Sequence, residues 1–182
     1  IGLTSIPRSA LRRPAREARM LVEAGTGFEA AGRNAEAAKI FLQALSLDPA
    51  NVEALIHLGQ MALIRTELVE AIDWIERARA AAPEDFSIRN NLGILYYQAQ
   101  RFEDADHEME TAARLLPGDP GPWFYRGLIH RKTGDPAESE QFFGEALARD
   151  PRYVGAYVRL IELLLEQGRD AEARQWADRA GV

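Results

Sequence analysis

Three histidines stand out in this chain, because an imidazole can serve as general base or metal ligand near neutral pH. His107 sits among Asp104, Asp106 and Glu108, whereas His57 and His130 are remote from it in sequence. A catalytic or metal centre requires such groups to converge. Helical periodicity keeps them apart. Asp104 and Asp106 diverge at i, i+2, and His57 and His130 fall on different helices and different faces. The chain has no Gly-rich phosphate loop, HExxH helix or nucleophile elbow, and no strand is predicted to carry one. Cysteine is absent, which removes disulfides, thiolate metal sites and cysteine nucleophiles. No catalytic residue, cofactor or metal ligand is expected, and the chain reads as a non-enzyme.

The elements that position every other side chain follow from four prolines. Pro49, Pro83, Pro117 and Pro151 are each 34 residues apart, and an alanine stands five positions before each one: Ala44, Ala78, Ala112 and Ala146. A fixed period of that length means stacked supersecondary units. Within each unit, apolar residues recur at helical spacing, a short turn intervenes, and the spacing resumes. The first unit runs through Leu21, Ala24, Gly25 and Phe28, turns at Gly32-Arg33-Asn34, and continues through Ala37, Phe41 and Ala44. Gly25, Gly59, Gly93 and Gly127 fall mid-helix, where glycine costs about 1 kcal/mol against alanine. Close helix approach is the reason for a missing side chain there, with Phe41, Ile75, Met109 and Phe143 filling the adjacent space.

Of the 182 residues, 47% are hydrophobic and 27% charged, enough to bury a continuous core. No run approaches the roughly 18 apolar residues of a membrane span, so no direct membrane insertion is expected. The formal net charge is −6, unevenly placed: five arginines against Glu17 give residues 1–19 a charge of +4, leaving −10 for the rest. A body that acidic repels phosphate backbones, which argues against nucleic acid as the ligand. Pro7 and Pro14 predict an extended leader over residues 1–14, within a basic arm running to residue 17. The chain opens at Ile1, which leaves room for a removed leader or a preceding domain. The compartment stays open: the cytoplasm is the first expectation, and the periplasm or secretion follows if a leader was removed. The alanine- and arginine-rich composition suggests a bacterial source.

The pattern W-x2-L-G-x2-Y, then A-x3-F-x2-A and P, resembles the tetratricopeptide repeat. Trp123 and Gly127 match its first half, as do Leu92, Gly93 and Tyr96; Ala37, Phe41, Ala44 and Pro49 match its second half. The resemblance covers residues 18–182 in five units, at about 18–51, 52–85, 86–119, 120–153 and 154–182. It implies an all-α fold, a right-handed α-solenoid of about five helix–turn–helix units. Departures fall late: Arg126 in a leucine slot, His130 in a tyrosine slot, Ser139 for the first alanine and Ile161 for the glycine. These weaken the packing expected of the last two units. The capping helix that commonly follows the last repeat is missing, but Ala171, Arg174, Gln175 and Asp178 suit the outer face of a self-capping end.

In each first helix, apolar residues also occupy the side away from the core, and such residues need a partner. The resemblance implies that these positions line a concave groove holding a peptide or helix. The expected groove residues are Val22, Ile56, Gln60, Leu63, Asn90, Asn91, Ile94, Tyr97, Phe124, Leu128, Arg131 and Val158. Ile56, Leu63, Ile94, Tyr97, Phe124 and Leu128 are the expected apolar anchors, and Asn91 matches a family asparagine that bonds ligand backbone. Arg126, Arg131, Lys132 and Arg159 make the C-terminal half basic, either gripping a carboxylate or pairing with acids such as Glu162 and Glu166. The family's chaperone-tail clamp is not expected, since its positions hold Arg19, Val22, Glu23 and Thr26. The expected role is a non-enzymatic scaffold or adaptor for another protein. Two alternatives are a homo-oligomer whose arm docks in a groove through Ile1, Leu3, Ile6 and Leu11, and a regulatory segment of a larger enzyme.

Overall fold

A computed structural model describes the backbone of residues 8–181 and the side chains of residues 14–181. Ten α-helices and no strand occur among them, an all-α helical-repeat fold. They fall into two compact units divided between Pro83 and Glu84. Unit 1 holds α1 (Arg8–Ala30), α2 (Asn34–Leu47), α3 (Val52–Ile64) and α4 (Leu68–Ala81). Unit 2 holds α5 (Phe86–Gln98), α6 (Phe102–Leu115), α7 (Pro120–Thr133), α8 (Pro136–Arg149), α9 (Val154–Glu166) and α10 (Asp170–Ala180).

The helix α1 corrects the expected extended leader over residues 8–14; residues 1–7 lie outside the described residues. It begins at Arg8 and carries Pro14 inside it. An interior proline removes its own amide donor and crowds the carbonyl four residues back, a cost of about 3 kcal/mol that α1 bears without ending. Ile1, Leu3, Ile6 and the side chain of Leu11 lie outside the described residues.

Five helix pairs are closed by one device repeated every 34 residues. Gly32, Thr66, Gln100, Gly134 and Gly168 all take a left-handed backbone, with φ of 74°, 62°, 59°, 91° and 73°. The next residue's N–H then reaches back to a carbonyl five residues earlier, as in Arg33 to Phe28 at 2.9 Å and Arg101 to Tyr96 at 2.8 Å. This satisfies carbonyls that the end of a helix leaves without partners. The first helices of three pairs start on a side-chain cap. Asn51, Asp85 and Asp119 accept the amides of Ala54, Ile88 and Gly121.

Between the helices of a pair, glycine meets a large residue sixteen positions on. A Cβ added to Gly25 would lie 2.6 Å from the Phe41 ring, and one added to Gly127 would lie 2.6 Å from two Phe143 ring atoms. In the fifth pair the sizes are exchanged. Ile161 stands in the glycine slot and Ala177 is sixteen residues on, a swap that conserves volume. Two other departures are also accommodated. Ser139 is fully buried and its hydroxyl donates to the Gly127 carbonyl at 2.8 Å. Arg126 donates twice to Asp106, at 2.8 and 3.2 Å, and lies 4.2 Å over the Phe142 ring.

One inner position is rewritten chemically. Trp123 faces Phe142 at 6.2 Å and Tyr157 faces Trp176 at 6.1 Å, but the same places in the third pair hold Arg89 and Glu108. Arg89 donates to Glu108 at 2.8 Å, with Glu108 1% exposed. An ion pair thus replaces an aromatic pair.

Candidate protein-binding surface

Unit 2 brings three first helices, α5, α7 and α9, around a cavity of about 530 Å³. Its apolar floor is Ile94 and Tyr97 from α5 with Tyr125 and Leu128 from α7. Polar and charged groups complete the wall: Gln98, Arg131, Lys132, Arg159 and Glu166. The spacing explains the assembly. Ile94 and Leu128 occupy equivalent positions 34 residues apart, as do Tyr97 and Arg131, and Gln98, Lys132 and Glu166. On each helix these positions follow one another at i, i+3, i+4, which places them on one face.

Aromatic contacts hold the floor. Tyr97 meets Tyr125 edge-on at 5.9 Å and Phe102 at 5.9 Å. Burial pushes the Tyr125 hydroxyl above the ordinary tyrosine range, and Tyr97 adds to that effect. It therefore stays protonated and able to donate at neutral pH.

The wall is laced by ion pairs. Arg131 donates to Glu162 at 3.0 Å and also to Glu166. Arg159 donates to the same Glu162 oxygen at 2.8 Å. Burial opposes the Arg131 charge, but its hydrogen bonds to the two glutamates outweigh that and raise its pKa. Hydrogen bonds from Arg131 and Arg159 hold Glu162 below the usual carboxylate range. Of the two readings of the basic residues, internal pairing describes Arg126, Arg131 and Arg159. For Lys132, no hydrogen bond or ion pair is found among the described residues.

Four of the expected groove residues line this cavity: Ile94, Tyr97, Leu128 and Arg131. The others do not. Val22 is a correction: it is 1% exposed, because α1 turns Ala18, Val22 and Gly25 into the interior of unit 1. Ile56, Gln60 and Leu63 belong to α3 of unit 1. Phe124 is turned inward instead, against Tyr153 at 5.2 Å and Phe143 at 5.9 Å. Asn90 is half-buried, its Oδ1 enclosed and without a hydrogen-bond partner, and Asn91 is exposed. Val158 lines a separate depression of about 360 Å³ with Val154, Tyr157 and Ile161. Arg126, expected in the basic stretch, is committed to Asp106. Tyr125 and Gln98 were not expected; the 34-residue equivalence of Gln98 with Lys132 was the available signal.

Two of the three histidines are also engaged, and His107 is exposed. His57 stacks on Phe41 at 4.7 Å, with Nδ1 2.7 Å from a Glu29 oxygen. The sequence separated His130 from other ligating groups, but the structure places it with Asp135 and Glu138, their ligand atoms within 4.8 Å of one another. His130 Nδ1 lies 2.7 Å from Glu138 and Nε2 3.6 Å from Asp106. Asp135 caps α8 by accepting the Glu138 amide at 3.0 Å. His130 Nε2 is enclosed without a hydrogen-bond partner.

The tetratricopeptide repeat pattern matches residues 22–86 and 90–151, and a second form of it matches residues 130–181. The chain belongs to the tetratricopeptide repeat family. It is 26% identical over 190 residues to the type IV pilus assembly protein PilF of Pseudomonas aeruginosa, covering 98% of this chain and 74% of PilF. Its fold is shared by the crystal structure of MamA, with a TM-score of 0.82, 18% identity and 90% of each chain covered. YrrB, described as a repeat protein with an unusual peptide-binding site, aligns with a TM-score of 0.78 and 19% identity, over 94% of this chain and 89% of its own. No helix among the described residues is long and apolar enough to cross a membrane.

Proposed function

We propose that this chain is a non-catalytic protein-binding module that seats an extended or helical segment of another protein in the cavity of α5, α7 and α9. The observation that carries the reading is the cavity itself, with an apolar floor of Ile94, Tyr97, Tyr125 and Leu128 inside a charged wall. Apolar surface held open in this way gains free energy when a partner covers it, and polar groups around it orient that partner. The peptide-binding site named for YrrB and the assembly role named for PilF support the same reading.

The test is capture from the source lysate by the wild-type chain and by a Tyr97→Ala/Leu128→Ala variant of matched helical circular dichroism. A protein retained by the first and lost by the second supports the reading. Equal capture by both removes the cavity from it.

A further inference from the structure

We infer that the cavity selects a segment carrying an Asp or Glu beside an apolar residue, and that Glu166 holds the place of that carboxylate until it arrives. This rests on the protein-binding reading above. Arg131, Lys132 and Arg159 line the cavity with Glu166, and Glu162 pairs with two of them, so three cations meet two carboxylates in a chain whose net charge is −6. A cationic concavity within an acidic chain is complementary to a negatively charged segment.

The two glutamates of the wall differ in how firmly they are held. Glu162 accepts from both Arg131 and Arg159, and that double pairing keeps it ionised and fixed. Among the described residues Glu166 pairs with Arg131 alone, and it is 59% exposed. It is also the last residue of α9, where the negative end of the helix dipole opposes a carboxylate. An exposed single ion pair contributes little, so an incoming carboxylate can take the Arg131 donors from Glu166 at small cost. Lys132 supplies a second cation on the same wall, and the apolar neighbour of the acidic residue covers Tyr97 and Leu128.

Glu166 is thus a competitor built into the site, and its removal strengthens binding. The probe is a library of random dodecapeptides displayed on phage, selected on the full chain. Clones are then counter-screened on the Tyr97→Ala/Leu128→Ala variant, and one cavity-dependent peptide is synthesised with a fluorescein label. The expected pool is rich in Asp and Glu. The labelled peptide should bind Glu166→Gln about two- to fivefold more tightly than wild type and Arg131→Gln more weakly. Replacing its acids by Asn and Gln should abolish the Glu166→Gln gain. Cavity-dependent peptides without acidic residues, or unchanged or weaker binding to Glu166→Gln, overturn this inference and leave the protein-binding reading standing. Selection that yields no cavity-dependent peptide counts against both.

Discussion

The positions that build the cavity in unit 2 have counterparts in unit 1. Where α5 and α7 show Ile94 and Leu128, α1 and α3 carry Thr26 and Gln60; where they show Tyr97 and Arg131, α1 and α3 carry Glu29 and Leu63. The pair interiors are largely alike across the units, with a glycine opposite a large side chain in four of the five pairs and the same left-handed turn in all five. The difference therefore lies in the exposed face of the first helices. One scaffold presents a mixed polar face in unit 1 and a tyrosine-floored, cationic face in unit 2.

The sharpest break in the likeness of the interiors is Glu108, which stands where unit 1 has Trp74. Truncating Glu108 removes a buried carboxylate that Arg89 donates to at 2.8 Å. Glu108→Ala should lower the stability of unit 2 by about 3–5 kcal/mol in urea unfolding. Arg89→Trp with Glu108→Phe, which copies the pair Trp123 and Phe142, should recover most of that loss. If the double variant is no better than the single one, the two kinds of pair are not interchangeable.

The glycine slots should rank by what the new methyl meets. Gly127→Ala and Gly25→Ala confront aromatic rings at 2.6 Å, and each should cost about 1–3 kcal/mol. Gly93→Ala meets the flexible end of Met109 at 2.8 Å, and the better helix propensity of alanine offsets much of the strain. Equal losses at all three sites would show that backbone spacing decides the cost, whatever the opposing side chain.

Smallest is the turn effect. Thr66 in unit 1 and Gln100 in unit 2 hold left-handed backbones that glycine adopts without a side-chain clash. Thr66→Gly and Gln100→Gly should each raise the midpoint of thermal unfolding, by roughly 1 kcal/mol of stability, with the β-branched threonine gaining more.

The architecture was legible because its causes recur. Prolines at a fixed interval, mid-helix glycines and the large residue beyond each one are all local in sequence. The cavity was legible in part: Ile94, Tyr97, Leu128 and Arg131 follow from helical phase once the pairs are placed. Phe124 was misjudged because three aromatics stand in a row, Trp123-Phe124-Tyr125, and phase alone does not decide which enters the core. The structure turns Phe124 to Phe143 and leaves Tyr125 to the cavity. Val22 is expected on the side of α1 away from the core, but Ala18, Val22 and Gly25, at i, i+4 and i+7, form the stripe that is buried. The pairing of Arg126 with Asp106 spans twenty residues and two helices, beyond the reach of a local pattern. Arg89 in a tryptophan slot, with Glu108 opposite, could have been found by setting the repeats side by side.

The glycine opposite its bulky neighbour has a consequence for how such a chain changes over generations. Four of the five helix pairs are latched in this way by residues that do not line the cavity, so Tyr97, Leu128 or Arg131 can be exchanged without loosening the latch. Selection can then retarget the recognising face while the scaffold beneath it stays under separate, stricter constraint. A lineage can acquire new clients by substitutions on one face, without inventing a new fold.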